Sequence, residues 1–489
     1  MKIRFYKSKA IILIILAAVS AAIRIYINYS TEFMPGAVGA FYLVQVRSVF
    51  ETGSLAFREF PLLFYVEAAL AKLWMFLFQT NVDITVNHVC RIFDAVIPTF
   101  SIIPTYLFVK NFIEEKYDNK IVIIISSFSI FYISFFILVS DYQKNSLGIL
   151  WLFCIVYFVY RILKEKSLRN YLLLLLFFIL AGITHFGSFA VAIFFLSTVF
   201  TVNYFKNFTV KRLIKLLAEI TIVLCIGLGA IYFIAPDRFE LLIKSPVEIF
   251  NDPIIFSLLK NRNTISPVDL ANIGFINFIV VVGLIILFRQ KNKIDPSQKT
   301  FIVSSIIACL ILSSPFLGIE WGQRLYLISY IFVIPVLIFI LERIKSYSQK
   351  RIITATLVVV LLASLIITIL TPQYSNMNKK EYEELVQMNK IFNQNESNLV
   401  IARLGLHYWV YWVSGVIIAN EEHVRKKWWN HIDNIYYLKQ KKGIIPFGTA
   451  GLYGRTFNDP KIPDDTDKVF EGEYFLLFRA AKPPYYLNK

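Results

Sequence analysis

The sequence predicts a mainly α, polytopic helical membrane protein of about eleven spans, with interfacial helices in the first external loop and a small external α/β domain at the C-terminal end. Three observations carry this. The 489 residues are 57% hydrophobic and only 17% charged. The apolar residues gather in runs of about 17–25, the length that crosses a hydrocarbon core of roughly 30 Å. From residue 372 onward the composition turns polar. A formal charge of +17 would suit nucleic acid if it formed one face, but the Lys and Arg residues sit in short loops between apolar runs. That is the positive-inside pattern, and it argues against a nucleic-acid partner.

Taking the Lys/Arg-rich loops as cytoplasmic sets each span in turn, with the N-terminus inside. Lys2, Arg4, Lys7 and Lys9 precede a first span near 10–28. Ala18-Val19-Ser20 offers small residues for signal cleavage, but the apolar run continues past them and a retained span is expected. Residues 30–90 are then external. Gly39 to Gly53 reads as an amphipathic helix with Tyr42, Val46, Val49 and Phe50 on one face, Gln45, Ser48 and Glu51 largely off it, and Gly53 as its C-terminal cap. A second helix, near 61–79, starts at Pro61. It contains Glu67 and Lys72, and counting it as a span would put every later Lys/Arg cluster outside, so it is read as interfacial.

Spans two to six are expected near 91–110, 121–139, 146–161, 170–183 and 187–205, with an external turn at Asp141 and an external hairpin tip at Thr184-His185-Phe186-Gly187. Spans seven to eleven follow near 214–234, 271–288, 301–318, 325–341 and 352–370, with Glu320 to Arg324 exposed between nine and ten. Residues 1–371 thus form a membrane domain and 372–489 an external one. In the latter, Leu385, Met388, Ile391 and Phe392 mark an amphipathic helix, Glu421–Lys442 a second helix stopped by Gly443, and Leu399–Ala402 and Tyr474–Phe478 strands. Cys90, Cys154, Cys225 and Cys309 lie in or beside different apolar runs without disulfide or metal-ligand spacing.

The residues that bear chemistry are few. Glu59 stands just before Pro61, near the positive end of a helix dipole, as an external carboxylate or as a solvated helix-start acid. Asp141, confined with Lys144 to a short turn between spans, is costly there unless it has a partner or a task; catalysis, metal binding and helix capping all fit it, with Lys144 as its neutralising cation. His185 suits a donor phosphate or a satisfied interface position. Arg324, with Glu320 nearby, suits a lipid phosphate that needs a cation with several donors, or ordinary snorkelling. His407 to Trp412 reads as an aromatic wall for sugar rings or as the small domain's core. There is no P-loop, dinucleotide glycine motif or zinc-protease motif, which disfavours ATP-driven transport.

The order of these parts resembles the GT-C superfamily of integral-membrane glycosyltransferases, in particular its mannosyltransferase-like and aminoarabinose-transferase-like branch. The resemblance rests on Tyr42, Arg47 and Glu51-Thr52-Gly53-Ser54-Leu55, on Glu59-Phe60-Pro61-Leu62 with Tyr65, on the Asp141 turn, on the His185 tip and on a C-terminal external domain. It implies a hexosyl- or pentosyltransferase that takes a sugar from a polyprenyl-phosphate donor and gives it to a glycan, lipid or protein acceptor at the external membrane face. It further implies Asp141 and Glu59 as the catalytic acids, with a divalent metal such as Mg or Mn held by the same two carboxylates. Arg324, His185, Tyr42, Lys144 and Glu320 would bind the donor. One departure stands out: the family places an acid just before the Tyr of the first interfacial helix, where this chain reads Pro35-Gly36-Ala37-Val38-Gly39-Ala40, and neither Glu32 nor Glu51 is in register. Trp428-Trp429-Asn430 is faintly similar to the Trp-Trp-Asp signature of oligosaccharyltransferases, with Asn430 in place of the acid. A polytopic carrier or lipid flippase, or a non-catalytic envelope-assembly protein lacking the first-loop acid, are the alternatives.

Overall fold

The computed structural model describes residues 2–113, 119–204, 254–259, 266–290, 294–393, 395–420, 426–441 and 459–482, with scattered positions between 205 and 253. The helices are α1 (Lys2–Tyr29), α2 (Gly39–Thr52), α3 (Leu62–Phe78), α4 (Val82–Val96), α5 (Ile102–Phe112), α6 (Asn119–Phe131), α7 (Ile133–Ile137), α8 (Gln143–Lys164), α9 (Leu168–Thr184) and α10 (Phe186–Tyr204). They continue as α11 (Ile254–Leu259), α12 (Pro267–Arg289), α13 (Pro296–Leu312), α14 (Ile319–Arg343), α15 (Tyr347–Leu370), α16 (Lys379–Met388) and α17 (Leu406–Ser414). Among the described residues eight helical segments are long and apolar enough to cross a membrane, and the apolar α9 and α13 are shorter. The chain is a multi-pass membrane protein.

Ten of the expected spans coincide with described helices. Span seven, near 214–234, lies outside the described residues apart from scattered positions. Span two differs most: a continuous helical run covers Val82–Phe112, with a tight 3₁₀ stretch at Ile97–Ser101 around Pro98. Its start is set by Asn81, whose side chain accepts the Ile84 N–H at 2.8 Å, a cap that hydropathy does not register.

Two compact units emerge. The first comprises Met1–Ile25, Arg58–Leu63 and Asp94–Thr371; the second comprises Tyr26–Phe57, Phe64–Phe93 and Pro372–Lys489. In the first, α14 is buried at every residue from Tyr326 to Leu341, as a helix apolar all round must be. Around it an aromatic cluster joins Phe108 to Tyr160 (5.3 Å between ring centroids), Tyr160 to Phe301 (5.3 Å) and Phe195 to Phe332 (4.7 Å).

In the second unit, α2 follows the expected design. It runs Gly39–Thr52, and Gly53 closes it at φ 74°, its N–H reaching Val49 O, a left-handed position that glycine occupies without strain. Gln45 is the exception. It is fully buried, its amide nitrogen donating to Phe57 O (2.9 Å) and its oxygen accepting from Phe57 N–H (3.1 Å), so it pins the following loop. A five-stranded sheet in order β2-β1-β3-β5-β4 is built from β1 (Asn398–Ile401), β2 (Ile417–Ala419), β3 (Asn434–Gln440), β4 (Thr466–Glu471) and β5 (Phe475–Ala480). β1 pairs in parallel with β2 and β3, and β5 antiparallel with β3 and β4.

The helix expected over Glu421–Lys442 is not formed among its described residues, 426–441. Lys426–Asn430 makes one 3₁₀ turn and Asn434–Gln440 is a strand, because Ile435-Tyr436-Tyr437-Leu438 is a run of strand-favouring side chains that fills a central position. Trp429 packs with Ile401, Ile435 and Tyr437 in the sheet's core. Trp409 and Trp412 are likewise buried, on α17. Burial pulls the imidazole of His407 down to about 4, so it is neutral and its Nδ1 accepts the Gly405 N–H at 3.1 Å.

Candidate active site

The Asp141 turn is built between two helical pieces. α6 ends at Phe131, Tyr132 is extended (φ −73°, ψ 145°), and the short α7 leads into the turn from which α8 starts at Gln143. Ser140 has φ 70°, a conformation that costs a side-chain-bearing residue free energy and persists only when its surroundings fix it. Here the surroundings do. The Ser140 N–H donates to Asp94 Oδ2 at 2.9 Å, the Asp141 N–H to Val139 O at 2.9 Å, and the Ser146 hydroxyl to Leu138 O at 2.9 Å.

Asp94 is in turn held by Arg24. The two make an ion pair at 3.0 Å with both side chains fully buried. The Arg24 guanidinium also donates to Asp94 O (2.9 Å), Phe135 O (2.6 Å) and Ser146 Oγ (2.9 Å), and lies 4.4 Å from the Phe135 ring centroid. A buried charge is tolerable only when paired and hydrogen-bonded in this way.

Glu59 reaches the same turn. Its carboxylate meets Lys144 Nζ at 2.8 Å, the two side chains being 3% and 12% exposed, and its Oε1 accepts the Phe60 N–H at 3.1 Å. The expectation of a solvated helix-start acid therefore gives way to a buried, paired carboxylate, with Lys144 as one of its partners. Asp141 is 4% exposed. Gln143, between Asp141 and Lys144, is 1% exposed and neither atom of its amide has a hydrogen-bond partner among the described residues.

His185 ends α9, and its Nδ1 accepts the Ser188 N–H at 3.2 Å, capping α10. Its tip rests on α8: a Cβ built on Gly148 would collide with the Ser188 hydroxyl and lie 4.0 Å from His185 Cβ. The structure thus brings Glu59 and Lys144 together directly and sets the His185 tip one turn along α8 from Lys144. Arg324 lies near the start of α14, partly buried. The side chain of Glu320 lies outside the described residues. Tyr42, in the second unit, is 3% exposed among Phe41 and Phe64, with ring centroids 5.4 and 6.1 Å away.

Among the described residues no group of three or more His, Cys, Asp or Glu side chains could hold a metal ion, and a lysine ammonium lies 2.8 Å from the Glu59 carboxylate.

Arg24, Asp94 and Ser140 carry the turn, and the sequence reading passed over all three. An ionisable residue inside an apolar run was the available signal for the first two. Nothing in a single sequence marks a serine at positive φ.

A bundle of apolar helices joined in one chain to a small α/β sheet is a fold that recurs among solved structures. Among solved structures, the chain is similar to the oligosaccharyltransferase AglB from Archaeoglobus fulgidus in complex with an inhibitory peptide and a dolichol-phosphate, at 12% identity and TM-score 0.52 over 84% of this chain and 64% of that one. The apo form of the Archaeoglobus fulgidus oligosaccharyltransferase gives 12% identity and TM-score 0.51 over 83% and 64%. ArnT from Cupriavidus metallidurans, bound to undecaprenyl phosphate, gives 9% identity and TM-score 0.51 over 96% and 99%. The chain spans less than two thirds of the archaeal enzyme's length and nearly all of ArnT's. At these identities the likeness is one of fold. No family model matches the chain, and no curated protein sequence does.

Proposed function

We propose that the chain is a membrane glycosyltransferase that moves a sugar from a polyprenyl-phosphate donor to a glycan, lipid or protein acceptor on the external face. The supporting observation is the ion pair of Glu59 with Lys144, three residues from Asp141, in a chain with the GT-C fold. Two of the similar structures hold a polyprenyl phosphate, dolichol-phosphate in one and undecaprenyl phosphate in the other, and the proposal extends that ligand class to this chain.

In the reaction, the bond from the sugar's anomeric carbon to the phosphate oxygen breaks as the acceptor oxygen bonds to that carbon. The acceptor's proton passes to Asp141 as general base, and the polyprenyl phosphate departs with the bonding electrons. Arg324 receives the phosphate through its forked donors, and His185 and Lys144 add positive or hydrogen-bonding character beside it. Glu59 fixes Lys144. The bilayer holds the donor's tail, so the anionic head arrives at the interface already oriented.

Purified protein is offered a panel of polyprenyl-phosphate sugars. Turnover with at least one donor is expected, with a loss of roughly 100-fold or more in Asp141→Asn, the size of a general-base contribution, and a smaller loss in Glu59→Gln. Unchanged turnover in both variants would remove these residues from the site.

A carrier or lipid flippase is favoured by one observation. The α6–α7 helix is broken at Tyr132, whose hydroxyl bonds Asn272 on α12, and the fully buried Asp269 on the same helix accepts from Tyr326; broken helices beside buried polar groups are the form transport sites take. Flux of a lipid-linked sugar in liposomes without any transfer product would select that reading.

A further inference from the structure

We propose that Arg24 and Asp94 are positioning residues that hold the Asp141 turn in its working geometry, with Ser140 as the strained hinge on which they act. The inference rests on the reading of Asp141 as the catalytic acid.

One guanidinium, on α1, grips both ends of the turn: Phe135 O before it and Ser146 Oγ after it. The same guanidinium orients Asp94 through the ion pair and the Asp94 carbonyl. The other oxygen of that carboxylate takes the N–H of Ser140, the residue directly before Asp141. Ser140 sits at φ 70°, so the peptide joining it to Asp141 is turned in a way the chain would not choose unaided. The Asp94 carboxylate is thus spent on holding a strained peptide.

Helix packing alone does not call for this arrangement. An apolar pair of similar volume joins α1 and α4 as well as, or better than, a buried ion pair, whose desolvation offsets most of its attraction. What an apolar pair cannot do is accept the Ser140 N–H and grip both ends of the turn. The ion pair's distinctive effect is therefore on where Asp141 points, and general-base catalysis is sensitive to displacements of about 1 Å.

The test uses the full chain in lipid nanodiscs, with two readouts: steady-state turnover of a polyprenyl-phosphate sugar, and amide hydrogen exchange of the peptide spanning 138–146. Asp94→Asn keeps an oxygen acceptor but loses the charge. It is expected to lower kcat by about tenfold to 100-fold, to leave the donor KM within about twofold, and to speed exchange of the turn while α8 beyond residue 150 stays protected. Ser140→Val, which cannot adopt positive φ without strain, should do the same without touching the ion pair. Ser140→Gly, which adopts it freely, should restore part of the turnover lost in Asp94→Asn when the two are combined. The double variant Arg24→Leu with Asp94→Leu, folded and with wild-type exchange across 138–146 and wild-type kcat, would overturn the proposal, as would Ser140→Val with both readouts unchanged. If the wild-type chain turns over no donor, the exchange measurement alone decides whether Arg24 and Asp94 hold the turn, and the loss falls on the functional reading.

Discussion

Gln143 shows what a single side chain can reveal at this turn. Its amide is sealed from solvent without a partner among the described residues, a state that costs about 1–3 kcal/mol. Replacing it with methionine keeps the volume and removes both orphaned atoms. Gln143→Met is therefore expected to leave thermal stability unchanged or to raise it by up to about 2 kcal/mol, read from the unfolding midpoint in detergent. A loss above about 1 kcal/mol would mean that the amide has a partner in the folded protein. Glu59 is the contrasting case. Sequence context made it an acid at a helix start, which is correct for its position, but hydropathy carries no record of a lysine 85 positions along the chain that arrives within 2.8 Å.

At the scale of helices and turns, what was legible is what repeats locally. The spans were visible as apolar length, α2 as a 3.6-residue period ended by Gly53, and β1 and β5 as short strand-favouring runs. The misses came from information that is not local. The start of α4 depends on a cap at Asn81. The strand β3 was hidden in a polar-flanked stretch whose aromatic residues are buried only because β1 and β5 flank it. The turn at Ser140 depends on Asp94 and Arg24, both distant in sequence. The α8–α9–α10 hairpin is held by close approach: Trp151 Nε1 donates to Thr184 Oγ1 at 3.0 Å, and a Cβ at Gly148 would come within 2.7 Å of Ser188 Cβ. Gly148→Val should force these helices apart at a cost of about 1–3 kcal/mol, the usual range for overpacking. It should also displace the His185 tip, seen as a fall in unfolding midpoint together with faster exchange at residues 184–188. A wild-type midpoint would mean that α8 and α10 are not in contact at this glycine.

For the molecule as a whole, charge decides which side of the membrane each loop faces. The charge ladder gives an answer from electrostatics alone: loops with Lys164, Lys166 and Arg169, or with Arg343, Lys345, Lys350 and Arg351, stay cytoplasmic. The proposed chemistry needs the same answer, because a lipid-linked donor presented on the external face is useful only if the Asp141 turn faces that side. Both follow if residues 30–81 and the C-terminal segment are external. Ser54 and Asn395 are exposed. With Cys225, the exposed native thiol, changed to serine, cysteines at Ser54 and Asn395 should react with a membrane-impermeant maleimide in intact cells. A cysteine at Lys166 should react only after the membrane is opened. Labelling of Lys166→Cys in intact cells, with protection at Ser54→Cys, would invert the ladder. It would also move the Asp141 turn to the cytoplasmic face, where an externally presented lipid-linked sugar could not reach it.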